Sequence, residues 1–363
     1  MTENFNLLRL PLLAVYNCLE CLDIFEIIDF SLLSRRSKSL VSSIIRKPID
    51  IDVEIGEKPV ISMFSSEYPG FEWSFDVENL EGFPITHRTF DGKPTPSLLY
   101  CHLNGGKVCY SLKLPQKEFQ CVFRFLVELL TTIFRSAIRK FSIYGLNDQD
   151  TMEVLKWFKS VQSSIYYLNI DGDDISPTSE GFAHNNFEIS QKFSFDNREK
   201  SSELQNVVVR NKKIFEMHTL ILALSHWFSL DDILKATCTI MSFTESIITP
   251  VDLNYFLKKW LDGSNPNLVY FEVVRVMADG EDKDHIFNAI TQDMAVREHI
   301  EDERRPMTLE IYGDDILQLN RHASFDIERR DGAIGTFLLD SSPGTGDSNV
   351  IEQYFSFHVW NKV

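Results

Sequence analysis

Leu10-Pro11-Leu12-Leu13-Ala14, Leu19-Glu20-Cys21-Leu22-Asp23, Glu26-Ile27-Ile28-Asp29-Phe30-Ser31-Leu32-Leu33-Ser34 and Arg35-Arg36-Ser37-Lys38-Ser39-Leu40-Val41 follow one another near the head of the chain and read as three short helices. Pro11 suits a helix entrance, since its φ is fixed and its missing N–H bonds nothing there. Asp23 stands where a side-chain oxygen caps the second helix, with Glu26 three residues on as in a capping box. Ser34 is placed to cap the third. Apolar residues recur at helical spacing: Leu12, Val15 and Leu19; then Ile24, Ile27 and Ile28; then Leu40, Val41 and Ile44. Roughly 40 residues is too few to fold without help. Three short helices cannot bury Leu10, Pro11, Leu13, Leu22, Ile27 and Ile28 on one another, so some of these are expected to face a partner.

This stretch resembles the F-box, the motif by which substrate receptors hang on Skp-type adaptors of cullin–RING ubiquitin ligases. The resemblance lies in Leu10-Pro11, Leu22-Asp23, Glu26-Ile27-Ile28 and Ser31…Ser34-Arg35-Arg36-Ser37-Lys38, and spans residues 5–47. Many F-boxes carry a Trp late in helix three. Here Leu40-Val41 stand in that neighbourhood, as in nematode-type F-box proteins. The resemblance implies adaptor contact through Leu10, Pro11, Leu13, Leu22, Ile27 and Ile28. Arg35, Arg36 and Lys38 form the local basic cluster, read equally as contacts to an acidic adaptor or as a solvated helix face.

At 363 residues the chain has room for two or three domains. Its net charge is −17; the first 48 residues carry +1 and the remainder −18. That acidity argues against phosphate-backbone binding, which needs a basic surface, and suits a basic protein partner. No run approaches 18 uninterrupted apolar residues, so no membrane helix is expected. Leu7 to Val15 is short, with no small-residue cleavage site after it, and does not read as a signal peptide. The six cysteines are read as reduced thiols of a cytoplasmic or nuclear protein, with Cys18 and Cys21 as buried small hydrophobes.

After Pro48 the period changes. Ile49, Ile51, Val53 and Ile55 alternate with Asp50, Asp52 and Glu54, as in a half-buried strand. Further strands are expected at 59–64, 70–75 and 98–103, the last joined through Asn104-Gly105-Gly106 to 107–112 as a hairpin. Phe119, Val122, Phe123, Leu126, Leu129, Leu130 and Ile133 mark one face of a helix. Strand and helix then alternate: 141–144 and 152–158, 165–170, 219–222 and 229–234, 238–243 and 249–261, 267–273. Thr249 is the expected N-cap of the last of these helices and Pro250 its first residue. Residues 176–205 read as a long loop or poorly ordered insert, and 279–306 as a helix-bearing insert. The end returns to strands at 308–312, 325–330, 335–339 and 354–359, with Asp331-Gly332 as a hairpin turn and Ser341 to Asn349 as a loop.

The expected fold is α+β or α/β: the three-helix module, then from residue 49 to 363 an irregular leucine-rich-repeat-like strand–helix region with a β-rich start and end. The regular asparagine ladder of such repeats is not evident. Leu230-Asp231-Asp232-Ile233-Leu234, the run from Thr249 through Asp252-Leu253-Asn254-Tyr255-Phe256-Leu257-Lys258-Lys259-Trp260, Asn265-Pro266-Asn267-Leu268 and Phe325 to Gly332 resemble the nematode F-box-associated domain, type 2, over about 160–340. Those proteins pair it with an N-terminal F-box, and this chain has both in that order.

Catalytic signatures are not found. Asp171-Gly172-Asp173-Asp174 lacks the alternate ligands and closing Glu of a calcium loop. There is no His-Glu-x-x-His, no Gly-x-Ser-x-Gly elbow and no phosphate-cradling glycine loop. Trp227, Tyr255 and Trp260 are candidate ligand anchors, although Trp260 keeps helical spacing with Phe256 and Leu257, as core does. The reading is a substrate receptor of a ubiquitin ligase with no catalytic residue, metal or cofactor of its own. Its expected partners are a Skp-type adaptor, through it a cullin, and a protein substrate, with neither nucleic acid nor membrane. The alternatives are a scaffold without ubiquitination and, less favoured, an α/β enzyme with a helical cap.

Overall fold

The computed structural model describes residues 10–44, 49–65, 68–77, 86–104, 107–172, 175–197, 215–222, 229–244, 246–277, 281–298, 308–311, 315–318, 324–343 and 351–360. Caps set the first elements. α1 (Leu12–Glu20) follows Pro11, whose carbonyl accepts from the Ala14 and Val15 N–H groups. α2 (Ile24–Leu32) opens on a full capping box: the Asp23 carboxylate accepts from the Phe25 and Glu26 N–H groups, both at 2.8 Å, and Glu26 accepts from the Asp23 N–H at 2.9 Å. α3 (Arg35–Ile44) opens on Ser34, whose hydroxyl accepts from the Ser37 N–H at 3.1 Å. Val15, Leu19, Ile24, Phe25, Ile28 and Val41 are buried.

The chain divides into two compact units, Met1–Phe141 and Ser142–Val363. In the first, six strands follow the helices: β1 (Asp50–Ile55), β2 (Val60–Ser65), β3 (Tyr68–Val77), β4 (Thr86–Phe90), β5 (Lys93–Asn104) and β6 (Lys107–Leu114), in the order β1-β2-β3-β6-β5-β4. All neighbours are antiparallel except β3 and β6. The β5–β6 pairing bears out the hairpin, although its tip at 105–106 lies outside the described residues. β4 was not foreseen. Its signal is Asp91-Gly92, where φ is 47° and 75°, the left-handed pair that a two-residue hairpin turn requires.

α4 (Gln116–Phe134) carries the foreseen apolar face, with Val122, Phe123, Leu126, Leu129, Leu130 and Ile133 all buried. Phe123 meets Phe75 edge to face at 5.1 Å. Phe25 of α2 lies edge to face with Trp73 at 5.7 Å and against the Tyr110 ring. Trp73 and Tyr110 are register partners, so the sheet face that receives α4 also receives α2. Asp29 of α2 pairs with Arg88 of β4. The three-helix module therefore completes its core on strands β3 and β6, and β4 adds an ion pair at the edge.

β1 departs from simple alternation, because Asp52 is buried along with Ile51 and Val53. Its carboxylate accepts from Arg139 at 2.8 and 3.1 Å. A two-pronged guanidinium is the partner that makes such burial tolerable. Arg139 and Lys140 begin β7 (Ile138–Tyr144), the strand in which the division between the units falls, and Lys140 bonds Glu54 at 3.1 Å.

The second unit holds α5 (Asp148–Val161), β8 (Ser164–Gly172), α6 (Pro177–Asn186), β9 (Glu188–Asn197), β10 (Thr219–Leu222), α7 (Leu230–Lys235), β11 (Ile240–Phe243), α8 (Pro250–Leu261), β12 (Tyr270–Val276), α9 (Lys283–Thr291), β13 (Arg297–Glu298), β14 (Thr308–Ile311), β15 (Asp315–Gln318), β16 (Ser324–Glu328), β17 (Ile334–Pro343) and β18 (Ile351–Trp360). β8 to β12 are neighbours in sequence order and all parallel. β18, β17, β16 and β13 extend the sheet antiparallel from β12, and β14 pairs with β15 alone.

Two expectations for this unit need correcting. Residues 176–205 are not a featureless insert, since α6 and β9 occupy 177–197. Helix α6 is polar, but Ser176 caps it and Asp148 accepts from the Ser176 N–H at 2.9 Å and the Ser179 hydroxyl at 2.5 Å. Burial pushes the Asp148 carboxyl up, but those hydrogen bonds outweigh it and leave its pKa below the ordinary value. Nor is Ser341 in a loop: β17 runs on through Pro343, paired with β18. The rest of that expected loop, 344–350, lies outside the described residues.

One sheet face takes the helices. Leu220, Met241, Phe271, Phe357 and Phe337 are successive register partners across it, and all are fully buried. Phe256 and Trp260 of α8 pack there, with ring centroids 4.4 Å from Phe271 and 5.0 Å from Phe357 respectively. Thr249 caps α8 in a capping box with Asp252, and Pro250 is its first residue, as expected. Ile248 and Leu253 flank that cap and are both buried, in the manner of a hydrophobic staple.

The opposite face buries His358, whose ring lies 4.8 Å from that of Tyr270 and 6.1 Å from that of Trp360. Burial pulls its pKa down to about 4. A folded-state pKa below the unfolded value near 6.5 gives stability that is complete above pH 6.5 and lost as pH falls toward 4. His218, also shifted down by burial, acts in the same direction. Between pH 7.5 and pH 5 the unit is expected to lose about 2 kcal/mol through His358. Urea melts of wild type and His358→Gln at the two pH values check this, and an equal pH dependence in both chains would refute it.

Candidate interaction surfaces

The N-terminal helices sort their apolar residues into two sets. Ile28 is fully buried, so it supports the module from within and offers no surface to a partner. Leu10, Leu22 and Ile27 are half-buried, and Pro11 is exposed. Leu13 is 72% exposed, Leu12 56% and Leu33 75%. Arg35 and Arg36 are exposed and Lys38 half-buried, all in the first turn of α3. The buried set faces the chain's own core, while a second set of large apolar side chains stands in solvent.

Leu12 and Leu33 were not singled out as surface residues by sequence reasoning, and Phe25 was not foreseen as the anchor on Trp73 and Tyr110. Leu12 fits the inner face of its helix by spacing, and only the position of the strands shows which side of α1 is covered. Leu33 does carry a signal. It is an apolar residue at a C-cap directly before the Ser34 cap, where the chain reverses and little can cover it. Cys18 and Cys21 were expected inside and are exposed, Cys18 in the last turn of α1 and Cys21 at its C-cap.

In the second unit, Trp260 is fully buried and belongs to the core, with the Arg329 guanidinium 4.8 Å above its ring. Tyr255 is exposed, under the Lys259 ammonium at 5.3 Å. Trp227, Asp173 and Asp174 lie outside the described residues. Among the described residues no group of three or more His, Cys, Asp or Glu side chains is placed to hold a metal ion. The large pKa shifts follow packing. Burial pushes Cys238 and Tyr110 up to about 12, the latter with help from Cys101. Neither shift activates a nucleophile at neutral pH. Among the described residues no helix is long and apolar enough to cross a membrane.

Parallel strand–helix units place helix N-termini along one edge of the sheet, and their acidic caps collect there. The first turns hold Asp148 and Asp150 in α5, Asp231 and Asp232 in α7, Asp252 in α8 and Asp284 in α9. Lysines occupy the last turns: Lys159, Lys235, Lys258 and Lys259. Each suits the helix dipole at its own end.

A family model described as "F-box domain" matches residues 7–48, and one described as "F-box associated" matches residues 203–273. The chain thus carries an F-box followed by an F-box-associated domain, in the expected order. The first match ends just before β1; the second covers the described elements β10, α7, β11, α8 and the first half of β12. No curated protein and no solved structure matches the chain.

Proposed function

We propose that this chain is the substrate-receptor subunit of a Skp–cullin–F-box ubiquitin ligase. The carrying observation is the division of labour in the N-terminal helices: Val15, Leu19, Ile24, Phe25 and Ile28 face inward, while Leu12, Leu13 and Leu33 stand in solvent. Large apolar side chains that a folded module leaves in solvent suit an interaction site. In an F-box the partner is a Skp-type adaptor, and Leu10, Pro11, Leu13, Leu22, Ile27, Arg35, Arg36 and Lys38, each exposed or half-buried, are the residues offered to it in this reading. Arg35 and Arg36 suit an acidic adaptor.

The strand–helix region of the second unit is the substrate-binding part, read as an irregular solenoid of the leucine-rich-repeat kind. Its consecutive parallel strands give an extended edge and face for a protein ligand. The chain supplies proximity rather than chemistry: it holds a substrate near a ubiquitin-charged partner subunit and raises the local concentration of the reacting groups. It works in the cytoplasm or nucleus and needs no cofactor.

Native affinity purification of the full chain followed by mass spectrometry tests this. The expected result is a stoichiometric Skp-type adaptor with a cullin. Adaptor without cullin would identify a scaffold outside ubiquitination, and loss of both would overturn the proposal.

A further inference from the structure

We propose that the N-terminal end of α8, with its flanking helices, is a docking surface for an extended basic segment of the substrate, a short peptide with an aliphatic or aromatic centre and a Lys or Arg on either side. The inference rests on the receptor reading above and names the chemistry of what that receptor takes.

Three large apolar side chains are exposed here: Ile247 at 63%, Val251 at 67% and Tyr255 at 47%. Val251 and Tyr255 are one helical turn apart and share a face. Ile247 precedes the Thr249 cap, and its neighbour Ile248 turns inward, with its N–H bonded to the Ser246 hydroxyl at 3.2 Å. The cap thus fixes which of the two isoleucines is presented outward. The Ser246 N–H donates to the Val274 carbonyl at 3.0 Å, which holds Ile247 at the rim of the sheet.

The first turns of the flanking helices are acidic, while Lys259 lies over the Tyr255 ring at the far end of the stripe and Lys283, beside Asp284, is paired with Asp340. α8 lies between α7 and α9. The α7 side shares its tie through Asn265, which donates to the Ile233 and Ala236 carbonyls. On the α9 side Asn254 donates to the Ile290 and Gln292 carbonyls. Asp232, Asp252 and Asp282 spend their carboxylates on capping bonds. Asp231 and Asp284 are exposed and accept no hydrogen bond among the described residues. One sits on each side of the apolar stripe. Adjacent helices pack roughly 8–10 Å apart, so the two carboxylates flank it at a separation on the order of 20 Å. An extended chain covers that in about six residues. A cation at each end and an apolar residue between them is the complementary ligand. An acidic or wholly polar segment is repelled or gains nothing.

Fluorescence anisotropy on the full chain with three labelled ten-residue peptides is the test. The first has Leu and Phe at its centre and Arg near both ends, six apart; the second replaces Arg by Glu; the third replaces Leu and Phe by Ser. Only the first is expected to bind. Ile247→Ser with Val251→Ser should weaken it roughly tenfold, as loss of a central apolar anchor does. Asp231→Asn with Asp284→Asn should also weaken it and flatten its salt dependence. All four positions are exposed, so both variants keep the fold, which circular dichroism verifies. Equal binding of the acidic peptide, unchanged affinity in both variants, or no binding of the first peptide overturns the proposal. Adaptor capture by the same variants separates this failure from that of the receptor reading: retained adaptor with unchanged substrate capture would leave the receptor standing and remove only this surface.

Discussion

Replacing Trp260 by Ala is expected to destabilise the second unit by about 4 kcal/mol, the size of loss that emptying a fully enclosed aromatic site produces. Trp260 has no exposed surface. Its ring meets Phe357 edge to face at 5.0 Å and carries the Arg329 guanidinium 4.8 Å above it. The site has little freedom to collapse. Gly335 lies across from it, and a Cβ there would stand 2.4 Å from the Phe357 ring and 3.2 Å from Trp260. The backbone of β17 is thus already as close as a residue without a side chain allows. Arg329 also loses its cation–π partner, a smaller addition. Gly335→Ala attacks the same contact by overpacking and should cost about 1–3 kcal/mol. Thermal and urea melts followed by circular dichroism measure both. A Trp260→Ala chain within about 1 kcal/mol of wild type would show that the α8 packing is not what holds this sheet face.

Much of this core is legible in the sequence. Thr249, Pro250 and Asp252 announce the start of α8, and the spacing of Leu253, Phe256, Leu257 and Trp260 announces its inner face. Those are local signals of capping and period, and local signals survive folding. The capping box at Asp23 was legible for the same reason. What failed was sequence whose structure is fixed from a distance. Helix α6 has almost no amphipathic pattern, and bonds from Ser176 and Ser179 to Asp148, about one strand–helix unit earlier, hold its start. Asp52 sits in an alternating strand at a position that reads as solvent-facing, yet Arg139 buries it from 87 residues away. The interaction surfaces were legible only in part. Composition marks Leu12, Leu13 and Leu33 as apolar, and it cannot tell that Ile28 is inside while they are outside. That distinction depends on where Trp73 and Tyr110 meet Phe25.

That distinction makes the adaptor surface separable from stability, and the expected effect is large. Leu12→Asp, Leu13→Asp and Leu33→Asp in one chain should weaken adaptor binding by at least about a hundredfold, since desolvated apolar anchors carry most of an interface's energy and a buried unpaired carboxylate is costly. The same changes should leave the melting temperature nearly unchanged, because side chains 56–75% exposed contribute little packing within the chain. Ile28→Ala should behave in the opposite way. It opens a cavity beside Phe25 in a fully enclosed site and should cost about 2–4 kcal/mol of stability, while the molecules that remain folded keep their outer leucines. Isothermal titration with a purified Skp-type adaptor and melts of the same samples separate the two outcomes. If the triple aspartate chain is folded and binds the adaptor as wild type does, the exposed leucines are not the docking surface. If Ile28→Ala is as stable as wild type and fails to bind, the surface lies on the face here assigned to the core. The contrast works because the cost of an apolar side chain is charged to folding where the chain itself covers it, and to association where only a partner can.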